Sequence, residues 1–190
     1  MTNFFSLFSD SAKELKQLRC IVVTGLLIAI SMAIESIQIV TPFFKINFTF
    51  LAFAAIGMLF GPTVAFFSGA LCDILGYIVR PDGAFIPVYI LIAMLQGLIY
   101  GILLYKKDTK KLFVLIIIAR LLDVVIINLC LNTYFNMYYG FIPQVPLWTA
   151  ISVRALKNFL ELLADIPLLY AVLPAVYTAY NRVFVKKANT

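Results

Sequence analysis

The sequence predicts an all-α integral membrane protein of six transmembrane helices, with N-terminus and C-terminus both cytoplasmic. Two observations carry that fold class. The apolar share is 63% against a charged share of 13%, and the charges gather at a few places between long hydrophobic runs. A helical crossing of the hydrocarbon needs about 20 apolar residues. A chain of 190 residues therefore holds roughly six crossings with short connections and no soluble domain. Residues 1–19 read as a cytoplasmic amphipathic segment, 20–185 as the six-helix membrane domain and 186–190 as a cytoplasmic tail.

Each element has its own signal. Ser11-Ala-Lys-Glu14 fits a capping box and opens an amphipathic segment carrying Lys13, Lys16 and Arg19. The first span follows from Cys20 to Ile39; it lacks a small-x-small cleavage pattern and more spans follow, so it is not a cleaved signal. Thr41-Pro42 breaks it, and Phe43 to Asn47 form a loop. Phe48 to Phe60 is apolar but short, and Gly61-Pro62 forces a turn before a helix from Thr63 to Val79. The two read as a tight hairpin. Arg80-Pro81-Asp82-Gly83 is the next reversal. A fourth span runs from Phe85 to Tyr105, and Lys106 to Lys111 is a polar connection. The fifth spans Leu112 to Met137, Tyr138 to Pro146 crosses over, and the sixth runs from Leu147 to Val185. Pro167 and Pro174 are expected to kink or split that last helix.

Orientation follows from the basic residues. With the N-terminus inside, ten of the 15 Lys and Arg residues fall in inner segments, against only Lys45 and Arg80 outside. The positive-inside rule then places both termini in the cytoplasm. The net charge of +6 belongs to these short flanking clusters, which argues against nucleic-acid binding. The three cysteines lie apart within apolar runs and behave as small hydrophobes.

Polar residues within the spans carry the chemical information. Arg154, Lys157, Asn158, Glu161 and Asp165 fall on one face of the last helix, within an arc of about 100° at 3.6 residues per turn. A charge turned toward lipid costs about 2.5–3.5 kcal/mol on insertion scales. That face therefore looks into either a ligand pocket or an ion-pair ladder holding helices together. Asp73 and Glu35 either reach the same cavity or serve as buried partners for Arg154 and Lys157. Asn128 and Asn132 either read a heterocycle's edge or bond between helices. Arg120 and Asp123 look like a local pair. Phe43, Phe44, Phe85, Tyr89, Tyr138, Tyr139 and Trp148 form an outer aromatic belt from which a few rings could stack on a flat ligand.

Small residues mark close helix contacts. Gly25, Ala29 and Ala33 recur every four residues in the first span, and Gly97-x-x-x-Gly101 repeats the device in the fourth. The ordinary meaning is packing within the subunit; the other is docking of a second membrane protein. No catalytic constellation is present, and neither a cofactor nor a metal site is expected. The chain contains no histidine, which removes the usual neutral-pH base and the commonest metal ligand. No Gly-x-Gly-Asp or phosphate-cradling glycine loop appears either. Binding and movement of a solute remain. Movement against a gradient would need either ion coupling through Asp73, Glu161 or Asp165, or a partner that hydrolyses ATP.

Several segments resemble a known family. Phe48-Thr-Phe-Leu-Ala-Phe through Gly57-Met-Leu-Phe-Gly61-Pro62, then Gly69-Ala-Leu-Cys-Asp73-Ile-Leu-Gly76-Tyr77, Gly83-Ala-Phe85-Ile-Pro87 and Gly97-Leu-Ile-Tyr-Gly101 are similar to the substrate-binding S components of energy-coupling factor (ECF) vitamin transporters. Ala29-Ile-Ser-Met-Ala33 is similar to that family's Ala-x-x-x-Ala docking motif. The Gly-Met-Leu-Phe-Gly-Pro segment together with Arg154-x-x-Lys157-Asn158-x-x-Glu161 most resembles the folate-specific branch. The resemblance implies capture of folate from outside and its delivery to a transmembrane coupling (T) subunit and two ATPases in a bacterial cell membrane. It implies that the outer loops Ser36 to Asn47 and Arg80 to Phe85 gate the pocket. Folate combines a flat pterin edge with a dianionic glutamate tail. Asp73, Asn158 and Glu161 are expected to read the pterin, Phe85 and Trp148 to flank the rings, and Arg154 and Lys157, with Arg80 or Lys45, to meet the carboxylates. The other readings are an S component for pantothenate or a thiamine precursor, a self-sufficient ion-coupled carrier and, more remotely, an intramembrane enzyme.

Overall fold

The computed structural model describes residues 4–36, 48–81, 84–107 and 109–185, and every regular element among them is helical. The order is α1 (Phe4–Glu14), α2 (Leu18–Ser36), α3 (Thr49–Phe60), α4 (Pro62–Val79), α5 (Val88–Leu104) and α6 (Thr109–Leu122). A π-helical segment, Asp123–Leu131, runs on from α6 into α7 (Asn132–Tyr138); α8 (Leu147–Tyr180) follows and ends in a π-helical turn, Asn181–Val185. Among the described residues, three helical runs are long and apolar enough to cross a membrane: Pro62–Val79, Lys111–Tyr138 and Leu147–Phe184. The bent pair of α1 and α2, which meet at 90°, could supply a fourth, while α3 and α5 are shorter apolar helices.

The core is built around α3. Residues Ala52 to Met58 are all buried, because the helix is apolar on every side and is enclosed by neighbours. Phe53, Ile56 and Phe60 of α3 pack with Tyr100 and Leu104 of α5, Ile116 of α6, and Leu169 and Leu173 of α8. The glycine pair of α5 sets how tightly this packs. A Cβ at Gly97 would lie 2.2 Å from the Ala65 carbonyl oxygen, and one at Gly101 would lie 2.4 Å from Pro62 Cα. Only hydrogen fits there. The small residues of α2 have the opposite fate: Gly25 has nothing within 4 Å of where its Cβ would be, and Ala29 and Ala33 are exposed.

Several boundaries differ from the sequence reading. Ser11 is not an N-cap; it lies inside α1, with its hydroxyl wholly buried. Its oxygen donates to the Phe60 carbonyl (2.7 Å) and accepts from the backbone N–H groups of Thr63 (3.0 Å) and Val64 (3.2 Å). Those amides belong to the first turn of α4, where no intrahelical acceptor exists. Gly61, with φ +88°, has no side chain to cap them. Ser11 therefore caps α4 from another helix, and Thr63 Oγ1 returns a bond to the Phe8 carbonyl (3.0 Å). The Lys106 ammonium meets Asp10 at 2.8 Å, which tethers α1 to the C-terminal end of α5. That neighbour holds the Asp10 carboxyl below the usual carboxylate range.

Helix α5 begins at Val88 behind Pro87, three residues later than the Phe85 start read from sequence, and α6 begins at Thr109, inside the stretch read as a connection. Neither Pro167 nor Pro174 splits α8, which runs unbroken for 34 residues. Residues 37–47, with the expected end of the first span and the expected outer loop carrying Lys45, lie outside the described residues, as do Asp82, Gly83, the Glu35 side chain and the tail 186–190.

Candidate functional site: a cavity at the Arg80 end of the bundle

Helices α4 and α5 diverge beyond Gly69, where a Cβ would lie 2.3 Å from the Ala93 carbonyl oxygen. Between that contact and the Arg80 turn they open onto a cavity of about 520 Å³. The volume suits a small-molecule ligand. One wall is α4, with Cys72, Asp73, Gly76 and Tyr77; the opposite wall is α5, with Tyr89, Ile92 and Gln96. Phe53 of α3, Ile127 of the π-helical segment, and Asn132 and Asn136 of α7 close the sides, while Arg80 and Phe85 stand in the α4–α5 connection.

The lining is mixed in a purposeful way. The Asp73 side chain is half-buried and has no hydrogen-bond or ion-pair partner among the described residues. A carboxylate on an apolar wall without a partner is costly unless something else occupies its acceptors. Tyr77 and Phe85 form an aromatic corner, with ring centroids 5.0 Å apart and planes at 54°. The Tyr89 hydroxyl donates to Asn136 Oδ1 (2.7 Å), tying α5 to α7 across the cavity. Asn132 Nδ2 donates to Asn128 Oδ1 (3.3 Å); these two amides bond to each other along one helix, and Asn132 also faces the cavity.

Asp73 and Phe85 of the predicted site are thus brought together on one cavity, with Arg80 beside them. Trp148 is not; it is 79% exposed at the start of α8. The α8 stripe also lies outside the lining of this cavity. Lys157 pairs with Glu161 at 3.3 Å, so part of the stripe is a ladder. Buried Asn158 donates to the Arg154 carbonyl (2.8 Å). Arg154 is half-buried with one guanidinium nitrogen unsatisfied.

Asp165 is separate from that ladder. It accepts from Arg120 Nε (3.1 Å) and Nη2 (2.5 Å), and the same guanidinium reaches Asp123 through Nη1. The Arg120–Asp123 pair read from sequence is therefore one arm of a bridge that links α6 to α8. Asp123 Oδ2 also accepts from Tyr100 (3.2 Å) and from Gln96 Nε2 (3.1 Å), and the Phe50 ring lies 4.3 Å below the guanidinium. Removing one partner from such a buried set typically costs about 3–5 kcal/mol, because it strands the others. Gln96 was not singled out by the sequence reading. Its signal is its isolation, since it is the only amide in the apolar run Val88–Leu104.

Comparison with known proteins adds a decisive observation. A family model described as "ECF-type riboflavin transporter, S component" matches residues 16–181. The chain belongs to the ECF-type S components. Relatives of this S component include "Folate transporter FolT" of Streptococcus mutans, 32% identical over 86% of this chain and 87% of that protein. "Folate transporter FolT" of Leuconostoc mesenteroides is 26% identical over 82% and 84% respectively. A Clostridium novyi protein of the same name is 37% identical, over 51% of this chain; the chain spans about half the length of that relative, 55%. A solved structure, "Crystal structure of FolT bound with folic acid", aligns with TM-score 0.68 and 30% identity, covering 81% of this S component and 92% of that chain.

Proposed function

We propose that this S component captures folate from outside a bacterial cytoplasmic membrane and delivers it to a T subunit and two ATPases that drive uptake. The single observation that carries the substrate is the Asp73 carboxylate, without a partner among the described residues, on the wall of a cavity with an aromatic corner. An acceptor-only group there suits the N–H groups of a pterin edge, and Tyr77 and Phe85 offer faces for a flat ring. The names of the relatives and of the folic-acid-bound neighbour support folate over riboflavin. Arg80 at the mouth, with Arg154 and Lys157 of α8, supplies cations for the glutamate carboxylates once α8 and the loops Ser36 to Asn47 and Arg80 to Phe85 close over the ligand. Asn158, Glu161 and Trp148 join the site in that closed state.

In this reading α2, α3, α4, α5, the run from α6 through α7, and α8 are the six crossings, with both termini cytoplasmic. The cavity then opens outward and the Ser11 cap lies inside. Ala29 and Ala33 on the open face of α2 receive the T subunit. The competing class is a carrier that works alone. Reconstituting the purified chain in liposomes separates the two: binding of folate without uptake under any imposed ion gradient is expected, and gradient-driven uptake by the lone chain would overturn capture-only function.

A further inference from the structure

We propose that Gln96 is a specificity-determining residue that reads an N–H donor of the bound heterocycle through its Oε1, and that Asp123 is the positioning residue which fixes that polarity. The inference deepens the folate reading and rests on it. An amide side chain in a pocket is normally ambiguous, because rotation by 180° exchanges an acceptor for a donor. Here the surroundings remove the ambiguity. Gln96 lines the cavity and also reaches behind it to Asp123 Oδ2 (3.1 Å). That oxygen already receives the Tyr100 hydroxyl (3.2 Å) and an Arg120 N–H, so it is an acceptor. The remaining oxygen, Oδ1, is buried without a partner among the described residues. A carboxylate so placed accepts from Nε2 and repels Oε1.

The consequence is an acceptor aimed at the ligand. Gln96 Oε1 takes no hydrogen bond among the described residues, and the half-buried side chain can meet a group in the cavity. Asp123 itself cannot swing away, since its carboxylate is wholly buried and held by Arg120, which Asp165 anchors from α8. The buried charge cluster thus sets the hydrogen-bond polarity of the α5 wall of the cavity from outside the cavity. The oxidised pterin ring offers N–H donors only at N3 and at the 2-amino group. One of these is the group that Gln96 reads.

The test is ligand discrimination by the purified full chain. Dissociation constants are measured for folic acid, for its analogue lacking the 2-amino group, and for its 2,4-diamino analogue, in which N3 becomes an acceptor. For at least one analogue, the ratio of its Kd to that of folic acid is expected to fall about tenfold in Gln96→Met, the value of one hydrogen bond. Asp123→Asn, whose amide lets Gln96 turn over, should lower the same ratio. Should that variant fail to fold, Gln96→Met still decides the reading role. Ratios unchanged for both analogues in Gln96→Met would overturn the proposal while leaving folate capture intact. Failure of the unaltered chain to bind folic acid would overturn both.

Discussion

At the residue scale the informative contrast is between Asp73 and Asp123. Both are carboxylates in an apolar chain. Asp123 is wholly buried, and its Oδ2 is bonded by Gln96, Tyr100 and Arg120, so the protein itself holds that carboxylate in place. Asp73 lines the cavity without a partner among the described residues, which leaves its acceptors open to a ligand. Replacing Asp73 by Asn should therefore act on binding and not on folding. Loss of a charged hydrogen bond, about 1.5–3 kcal/mol, corresponds to a weakening of roughly tenfold to a hundredfold in folate Kd. The melting temperature of the ligand-free protein should hold or rise, because an unpaired carboxylate has been removed. A fall in melting temperature with Kd unchanged would assign Asp73 to the scaffold.

At the element scale, one sequence device has two structural uses. Gly97 and Gly101 of α5 are consumed by contact with α4, whereas Gly25, Ala29 and Ala33 of α2 face outward. Spacing alone shows both as close-contact faces and cannot say whether the partner is in the same chain. The open face of α2, flanked by exposed Leu26 and Ile30, suits a second membrane helix pressing its backbone against it. Replacing Ala29 and Ala33 together by Trp is expected to abolish folate uptake in cells while leaving folate binding by the purified subunit within about threefold, since both residues are exposed and neither lines the cavity, although Met32 between them does. Binding lost along with uptake, in a folded variant, would contradict that division.

The same limit explains what else was legible. Gly61-Pro62 marks the break between α3 and α4 directly, because glycine at φ +88° and proline in the first turn are the residues such a break needs. The Arg120–Asp123 pair is legible at a spacing of three. Its bridge to Asp165, 45 residues away, is not, because periodicity assigns a face to each helix without naming the neighbour that the face meets. The five polar residues of α8 illustrate this: they share an arc, yet Asp165 serves Arg120 while Lys157 pairs with Glu161. The π-helical segment Asp123–Leu131 has no proline or glycine to announce it.

At the scale of the whole molecule, the bundle is closed at one end and open at the other. Around Gly61 the Ser11 cap, the Lys106–Asp10 pair and the α5 glycines lock α1, α3, α4 and α5 together. Around Arg80, α3, α4 and α5, with the π-helical segment and α7, line the cavity. On the proposed reading, the solute binds at this open end and a T subunit and two ATPases drive it across. Folate is the proposed solute, and the most direct measurement is the melting temperature of the purified full chain against separate additions of folic acid, riboflavin and pantothenate. A ligand present at a hundred times its Kd stabilises the folded state by about 2.7 kcal/mol. Folic acid is expected to raise the melting temperature in a saturable, concentration-dependent way, with riboflavin and pantothenate leaving it unchanged. Stabilisation by riboflavin or pantothenate, with no response to folic acid, would contradict the account.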